Sequence, residues 1–193
     1  YPQHASFLYQ AQADILKRMD NKKAALRLLD EAIKNLPDDP DLIYSEVLLL
    51  DAHQEKDKLD QLLTKLLEIE PNSPTYLNAY AYTLALQNRR LDEARRYVEQ
   101  ALEFAPEQAS ILDTLGYVSY LQNDYTASAQ ALEKAYALSH SAAIGSRYAK
   151  SLYMQGDIQK FSQVLQQLQQ NHPNDPQLQQ LNSLLLPQPV KKS

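Results

Sequence analysis

The stretch ILDTLGYVSYLQNDYTASAQALEKAYAL, residues 111–138, combines a glycine, a cluster of tyrosines and a run of small residues. Such a segment is either a site of chemistry or one copy of a repeated unit, and the sequence around it decides between the two. Prolines and one histidine punctuate the chain at near-constant spacing: Pro37 to Pro71 is 34 residues, Pro71 to Pro106 is 35, Pro106 to His140 is 34 and His140 to Pro173 is 33. Three columns of residues keep that spacing: Ala25, Leu59, Ala94, Ser128, Phe161; Leu29, Leu63, Val98, Leu132, Leu165; and Ala32, Leu66, Ala101, Ala135, Leu168. Upstream of each copy lies Ala13, Val47, Ala81, Gly116 or Ala149, followed three residues later by Leu16, Leu50, Leu84, Ser119 or Leu152. The opening stretch is the fourth of five copies. A period in this range marks stacked units that each need a neighbour to cover an apolar face.

Composition narrows the class. With 193 residues, 44% hydrophobic and 22% charged, the chain has the length and balance of one globular domain. Three glycines, no cysteine, no tryptophan and abundant Ala, Leu and Gln favour helix over strand, so the expected class is all-α. A net charge of −5 and a pI near 5.4 would repel phosphate backbones, which argues against nucleic acid as a partner. No apolar run approaches the ~18 residues that a membrane span needs. The absence of cysteine removes disulfides and thiolate metal sites. The first helical pattern carries Phe7, Leu8 and Ile15 close to Tyr1 without a preceding cap, so further chain is expected upstream.

Within each copy, apolar residues recur three and four apart over two segments of about three to four turns, the pattern of paired amphipathic helices. Asp39-Pro40, Ser73-Pro74 and Asp175-Pro176 each place a capping residue before a proline at the first helical position, where the missing N–H is not needed. The extra residue of copy three falls in Gln87-Asn88-Arg89-Arg90 and the missing one near His140-Ser141, which places both in turns. The expected organisation is an array over residues 1–186, with repeats at 6–39, 40–73, 74–108, 109–141 and 142–175, a cap helix at 176–186 and a tail at 187–193. On the cap, Leu178, Leu181, Leu184 and Leu185 share one face and glutamines the other.

This helix-turn-helix pattern, with small residues at fixed positions and a closing proline, resembles the tetratricopeptide repeat across residues 6–175. The resemblance implies a right-handed α-solenoid of about five repeats with a C-terminal capping helix. Copy two departs most, with Val47 and Leu59 where small residues are usual, so its helices are expected to sit further apart. Ala13 with Ala25, Ala81 with Ala94, and Gly116 with Ser128 pair small with small and permit close approach. Gly116 is therefore expected to serve packing.

Enzyme signatures do not emerge. His4, His53, His140 and His172 are dispersed without zinc-ligand spacing, and Asp38, Asp39 and Asp41 lack the glycine and spaced glutamate of a calcium loop. There is no nucleophile elbow and no phosphate loop. The expectation is a non-enzymatic protein with no metal and no cofactor. Asp92, Glu93, Arg95, Arg96 and Glu99 fall on a second helix and are expected on a solvated outer face.

In stacked helix pairs the first helices line the inner face. Positions there that packing does not consume are Tyr44, Asn78, Tyr82, Asp113, Tyr117, Tyr120, Arg147, Lys150 and Tyr153, the candidate groove for a protein or peptide. Tyrosine joins a large apolar face to one polar tip and suits binding surfaces, although some of these rings can instead bridge adjacent repeats. The early positions Gln10 and Asp14 do not match the carboxylate clamp of chaperone-binding members of the family. Residues 77–138 further resemble the C-terminal repeats of bacterial envelope tetratricopeptide lipoproteins, departing at Ala81 and Tyr117. That resemblance implies an adaptor on the periplasmic side of the outer membrane, in some members docking a C-terminal-processing protease with its substrates. The alternatives are a regulatory or localisation module of a larger cytoplasmic protein or enzyme, and a groove for a small ligand or glycan.

Overall fold

The computed structural model describes residues 2–185, so the tail expected at 187–193 lies outside the described residues. Eleven α-helices follow one another among these residues, with no strand. They are α1 Pro2–Arg18, α2 Lys22–Asn35, α3 Pro40–Val47, α4 Lys56–Ile69, α5 Pro74–Leu86, α6 Leu91–Phe104, α7 Ala109–Leu121, α8 Tyr125–Ser139, α9 Ala142–Gln155, α10 Ile158–Asn171 and α11 Pro176–Asn182. A 3₁₀ turn at Ser183–Leu185 completes the expected cap, which is a shorter helix than the leucine pattern suggests. Each helix packs on the next, and α1 on α3, α5 on α7 and α7 on α9, which is the neighbour-to-neighbour pattern of an α-solenoid.

The columns form the core. Ala25, Ala32, Ala81, Ala94, Ala101, Ala135 and Ala149 are all buried, with Leu29, Leu63, Leu66, Val98, Leu132, Phe161, Leu165 and Leu168 between them. Leu178 and Leu181 of α11 cover the last pair.

One turn chemistry joins the helices of copies one, three, four and five. Asp20, Asn88, Asn123 and Gly156 take positive φ of 57°, 48°, 62° and 89°. The next residue's N–H then reaches back to the carbonyl of Leu16, Leu84, Ser119 or Leu152, at 2.9–3.1 Å. This closure uses a left-handed residue to satisfy the last helical carbonyls, and Asn, Asp and Gly tolerate that conformation best. Asn21, Asp124 and Asp157 then cap the second helix by accepting from the N–H three residues on. In copy three the inserted residue adds a second left-handed position, Arg90 at φ 50°. The link shortened at His140 is likewise left-handed, φ 50°.

Copy two lacks this closure. Gln54 occupies the position of Asp20, Asn88, Asn123 and Gly156. Its longer side chain suits the left-handed region less well. Helix α3 stops after eight residues, and Leu50, a column residue expected inside it, lies beyond its end. A side-chain turn replaces the missing backbone one: the Asp51 N–H donates to Glu55 (2.6 Å), while Asp51 Oδ1 accepts from His53 (2.9 Å) and Gln54 (3.0 Å). Copy two is thus the most divergent repeat, but the divergence is a truncated first helix as well as bulky facing residues. Val47 and Leu59 are both buried in the core.

Gly116 does serve packing, against a different neighbour from the one expected. A Cβ there would lie 2.4 Å from Cγ of Leu132, whereas the Ser128 hydroxyl donates to the Gly116 carbonyl at 2.7 Å. Ser128 Oγ also lies 2.8 Å from Ser151 Oγ, so one buried polar chain joins α7, α8 and α9.

Candidate binding site

The candidate residues fall on α3, α5, α7 and α9, the first helices of copies two to five. Tyr44 is half-buried with its ring 5.3 Å from that of buried Tyr76, so it bridges α3 and α5. Tyr82 is exposed and its ring lies 6.2 Å from the half-buried ring of Tyr117, linking α5 to α7. Burial pushes the Tyr117 phenol above its ordinary value. Tyr120 meets Tyr125 edge-on at 5.4 Å, and the Lys150 ammonium stands 5.2 Å from the Tyr120 ring centre, a cation over an aromatic face. Tyr153 turns away from this row onto buried Phe161, 5.4 Å between rings, and bridges the two helices of its own repeat.

Arg147 on α9 donates from Nη2 to Asp113 Oδ2 on α7 at 2.8 Å. Burial raises the Asp113 carboxyl above the ordinary carboxylate value, and the Arg147 charge and hydrogen bond oppose that rise. The pair leaves acceptors and donors over. Asp113 Oδ1, Arg147 Nε and Asn78 Oδ1 are all buried without a hydrogen-bond partner, and so is Ser146 Oγ. Buried polar atoms in folded proteins are ordinarily paired with protein or with ordered water, and these four lie on the first helices of copies three to five.

Asn78, Asp113 and Ser146 also share one repeat position, three residues before Ala81, Gly116 and Ala149. The same polar position therefore recurs on three successive first helices. Sequence reasoning selected Asn78 and Asp113 and missed Ser146, although the spacing that aligned the other two would have found it.

Two cavities on this face are lined by Arg147 and Lys150, and a third, of about 250 Å³, lies in the early repeats beside Tyr44, Asp14, Lys17 and Asp41. One of about 70 Å³ is floored by Leu132 and Ser151 and walled by Tyr117, Tyr120, Arg147 and Lys150. The other, of about 380 Å³, lies between Ser146, Arg147 and Lys150 of α9 and Gln180, Leu181 and Leu184 of the cap. The cap's part in this surface was not foreseen, because its leucines account fully for a solvating end.

The outer side holds ion pairs. Arg95 binds Glu99 at 2.8 Å and reaches Gln122 of the next repeat at 3.3 Å, while Arg90 pairs with Glu93 and Asp60. Those charges are more engaged than a merely solvated face. Among the described residues, no group of three His, Cys, Asp or Glu is placed to hold a metal ion, and no helix is long and apolar enough to cross a membrane.

A stack of helix pairs with an aromatic and polar inner face defines a helical-repeat scaffold. Sequence profiles described as tetratricopeptide repeat match residues 83–144 and 119–185, together more than half of the chain. The chain belongs to the tetratricopeptide repeat family. The TPR repeat-containing protein PA4667 of Pseudomonas aeruginosa is 31% identical over 121 residues, 63% of this chain and 20% of that protein, so the chain spans about a fifth of that relative's length. MamA from Desulfovibrio magneticus RS-1 superposes with a TM-score of 0.75 at 17% identity, covering 89% of this chain and 97% of that one. PilF of Pseudomonas aeruginosa does so with a TM-score of 0.75 at 17% identity, covering 94% and 98%. At these identities the two structures bear on fold alone.

Proposed function

We propose that this chain is a non-enzymatic adaptor that holds a segment of a partner protein on the inner face of its last three repeats. Protein binding is the general use of tetratricopeptide repeats, which supports the coarse reading. The observation that carries the finer one is the run of rings Tyr82, Tyr117 and Tyr120 beside the Arg147–Asp113 pair and Lys150 on adjacent first helices. Aromatic anchors provide apolar contact at low entropic cost, and the exposed Lys150 beside Tyr120 adds a charged group next to them. The resemblance of residues 77–138 to envelope lipoproteins supports work on the periplasmic side of a bacterial outer membrane, with delivery of substrates to a C-terminal-processing protease as the specific task.

Capture from the native organism followed by mass spectrometry identifies the partner, and its binding is then measured against two double variants. Tyr117→Ala with Arg147→Glu is expected to abolish binding while circular dichroism still reports a helical fold. Arg95→Glu with Arg96→Glu is expected to leave binding intact. Loss from the second pair alone would move the interface to the outer face. Fractionation of cells producing the full-length protein tests the compartment, and a wholly cytoplasmic pool would remove the envelope part of the proposal.

A further inference from the structure

Two columns of residues on the first helices change state at the start of the array. Leu42, Tyr76, Ile111, Ile144 and Leu178 follow one another at spacings of 34, 35, 33 and 34 residues, and none is more than 8% exposed. Leu8 stands 34 residues before Leu42, at the same repeat position, and is 58% exposed. Leu49, Thr83, Val118 and Ser151 form the second column and are all buried, whereas its first member, Ile15, is 56% exposed. Between the two, Gln12 is exposed where the matching Glu46, Tyr80 and Tyr148 are buried. Leu8, Gln12 and Ile15 lie four and three residues apart, so they share one face of α1.

In the later copies this face is covered by the second helix of the repeat before. Leu42 packs in one cluster with Ala25, Leu29 and Ala32, and Ile111 does so with Ala94, Val98 and Ala101. Tyr76 shares a cluster with Leu59, Leu63 and Leu66, and Ile144 with Leu132 and Ala135. In copies one, three and four the covering helix is small at both outer column positions, which admits the larger side chain from the next repeat. Four junctions use the same contact, and α1 carries the receiving half of another.

The two ends of the array are built differently. Helix α11 buries Leu178 and Leu181 and leaves Gln179, Gln180 and Asn182 exposed, the polar outer face of a terminating cap. Helix α1 puts leucine and isoleucine in the open instead. A second copy does not supply the missing half, because its α11 offers a polar face and its α1 offers Leu8, Gln12 and Ile15, with no small residue at the outer positions. The relative PA4667 leaves room for further helix pairs, since the matched residues make up 20% of its length.

We propose that the face of α1 bearing Leu8, Gln12 and Ile15 is a stacking surface for one further helix pair, supplied by the same polypeptide upstream of Tyr1. The second helix of that pair carries small residues on either side of a leucine-sized one, as Ala25, Leu29 and Ala32 do. The inner face then runs on past α1, and the candidate groove of repeats three to five is one part of a longer surface.

The chain contains no cysteine, so single-cysteine variants report on this face directly. Leu8→Cys, Gln12→Cys and Ile15→Cys are made in the full-length protein and in the chain beginning at Tyr1, with the exposed Gln130→Cys as reference, and maleimide labelling at each position is timed by peptide mass spectrometry. Gln12→Cys keeps both apolar residues, so it reads the face even where the other two variants loosen it. In the purified full-length protein all three should label about tenfold or more slowly than the reference, as a buried position that opens only locally does, and at a rate independent of protein concentration. In the shorter chain all three should label as fast as the reference. Labelling at the reference rate in the full-length protein overturns the proposal. Protection that falls on dilution gives the face to a second copy or a separate partner, and protection in the shorter chain at every dilution shows the face already covered; either result overturns it too. Circular dichroism checks that each variant is helical.

Discussion

Repeats two and four are built on the same period, yet α3 runs for 8 residues and α7 for 13. Repeat four closes its turn with left-handed Asn123, caps the next helix with Asp124 and brings its helices together where Gly116 admits Leu132. Repeat two has Gln54, Glu55 and Val47 at those places. It also buries a charge. Glu46, 1% exposed, is held by Lys58, which pairs at 2.8 Å with Asp30 of the preceding repeat, where the matching residues Tyr80, Leu115 and Tyr148 of the later repeats are apolar or aromatic. The difference teaches that two local features, a residue that accepts positive φ and a small residue facing the partner helix, set how well a repeat closes. The candidate site sits on the well-closed side, where rigid helices can hold side chains in register.

The comparison breaks most directly at Gly116. Gly116→Leu forces a side chain into the space of Leu132 and is expected to destabilise by about 1–3 kcal/mol, read from denaturant melts; an unchanged midpoint would contradict the packing account. Next comes the turn. Gly156→Gln places the residue type of repeat two's turn at a φ of 89°, where a Cβ meets no neighbour and only backbone strain acts, so a loss of about 1–2 kcal/mol is expected with fraying at the end of α9 in amide exchange.

The smallest effect concerns Glu46. Burial raises its carboxyl above the ordinary 4.5, with the Lys58 contacts opposing. The folded state then holds a proton that the unfolded state releases, so this group's contribution falls as pH rises from about 4.5 through the raised value. Glu46→Gln should flatten that part of the stability profile, measured by denaturation at successive pH values. A steeper fall in the variant would reverse the assignment.

The period, the helix pairs and the core columns were legible because each copy repeats the same burial, so five weak patterns reinforce one another. The truncation of α3 was not, because it follows from the absence of a left-handed residue at Gln54, and only alignment of the turns exposes that. Of the site, Tyr82, Tyr117, Tyr120, Arg147 and Lys150 come together as their spacing implies. The inward turn of Tyr153 onto Phe161 depends on a rotamer that spacing does not determine. Ser146 and the cap wall were missed because a serine and a leucine carry no signal of their own until the fold sets them beside Arg147 and Lys150.

The most direct test of the account is a map of amide chemical-shift changes as the bound segment of the captured partner is titrated into the labelled chain. The changes are expected around Asn78, Tyr82, Asp113, Tyr117, Ser146 and Lys150, on α5, α7 and α9, with α6 and the outer face of α8 silent. Changes centred on Arg95, Arg96 and Glu99, or confined to repeat two, would contradict it.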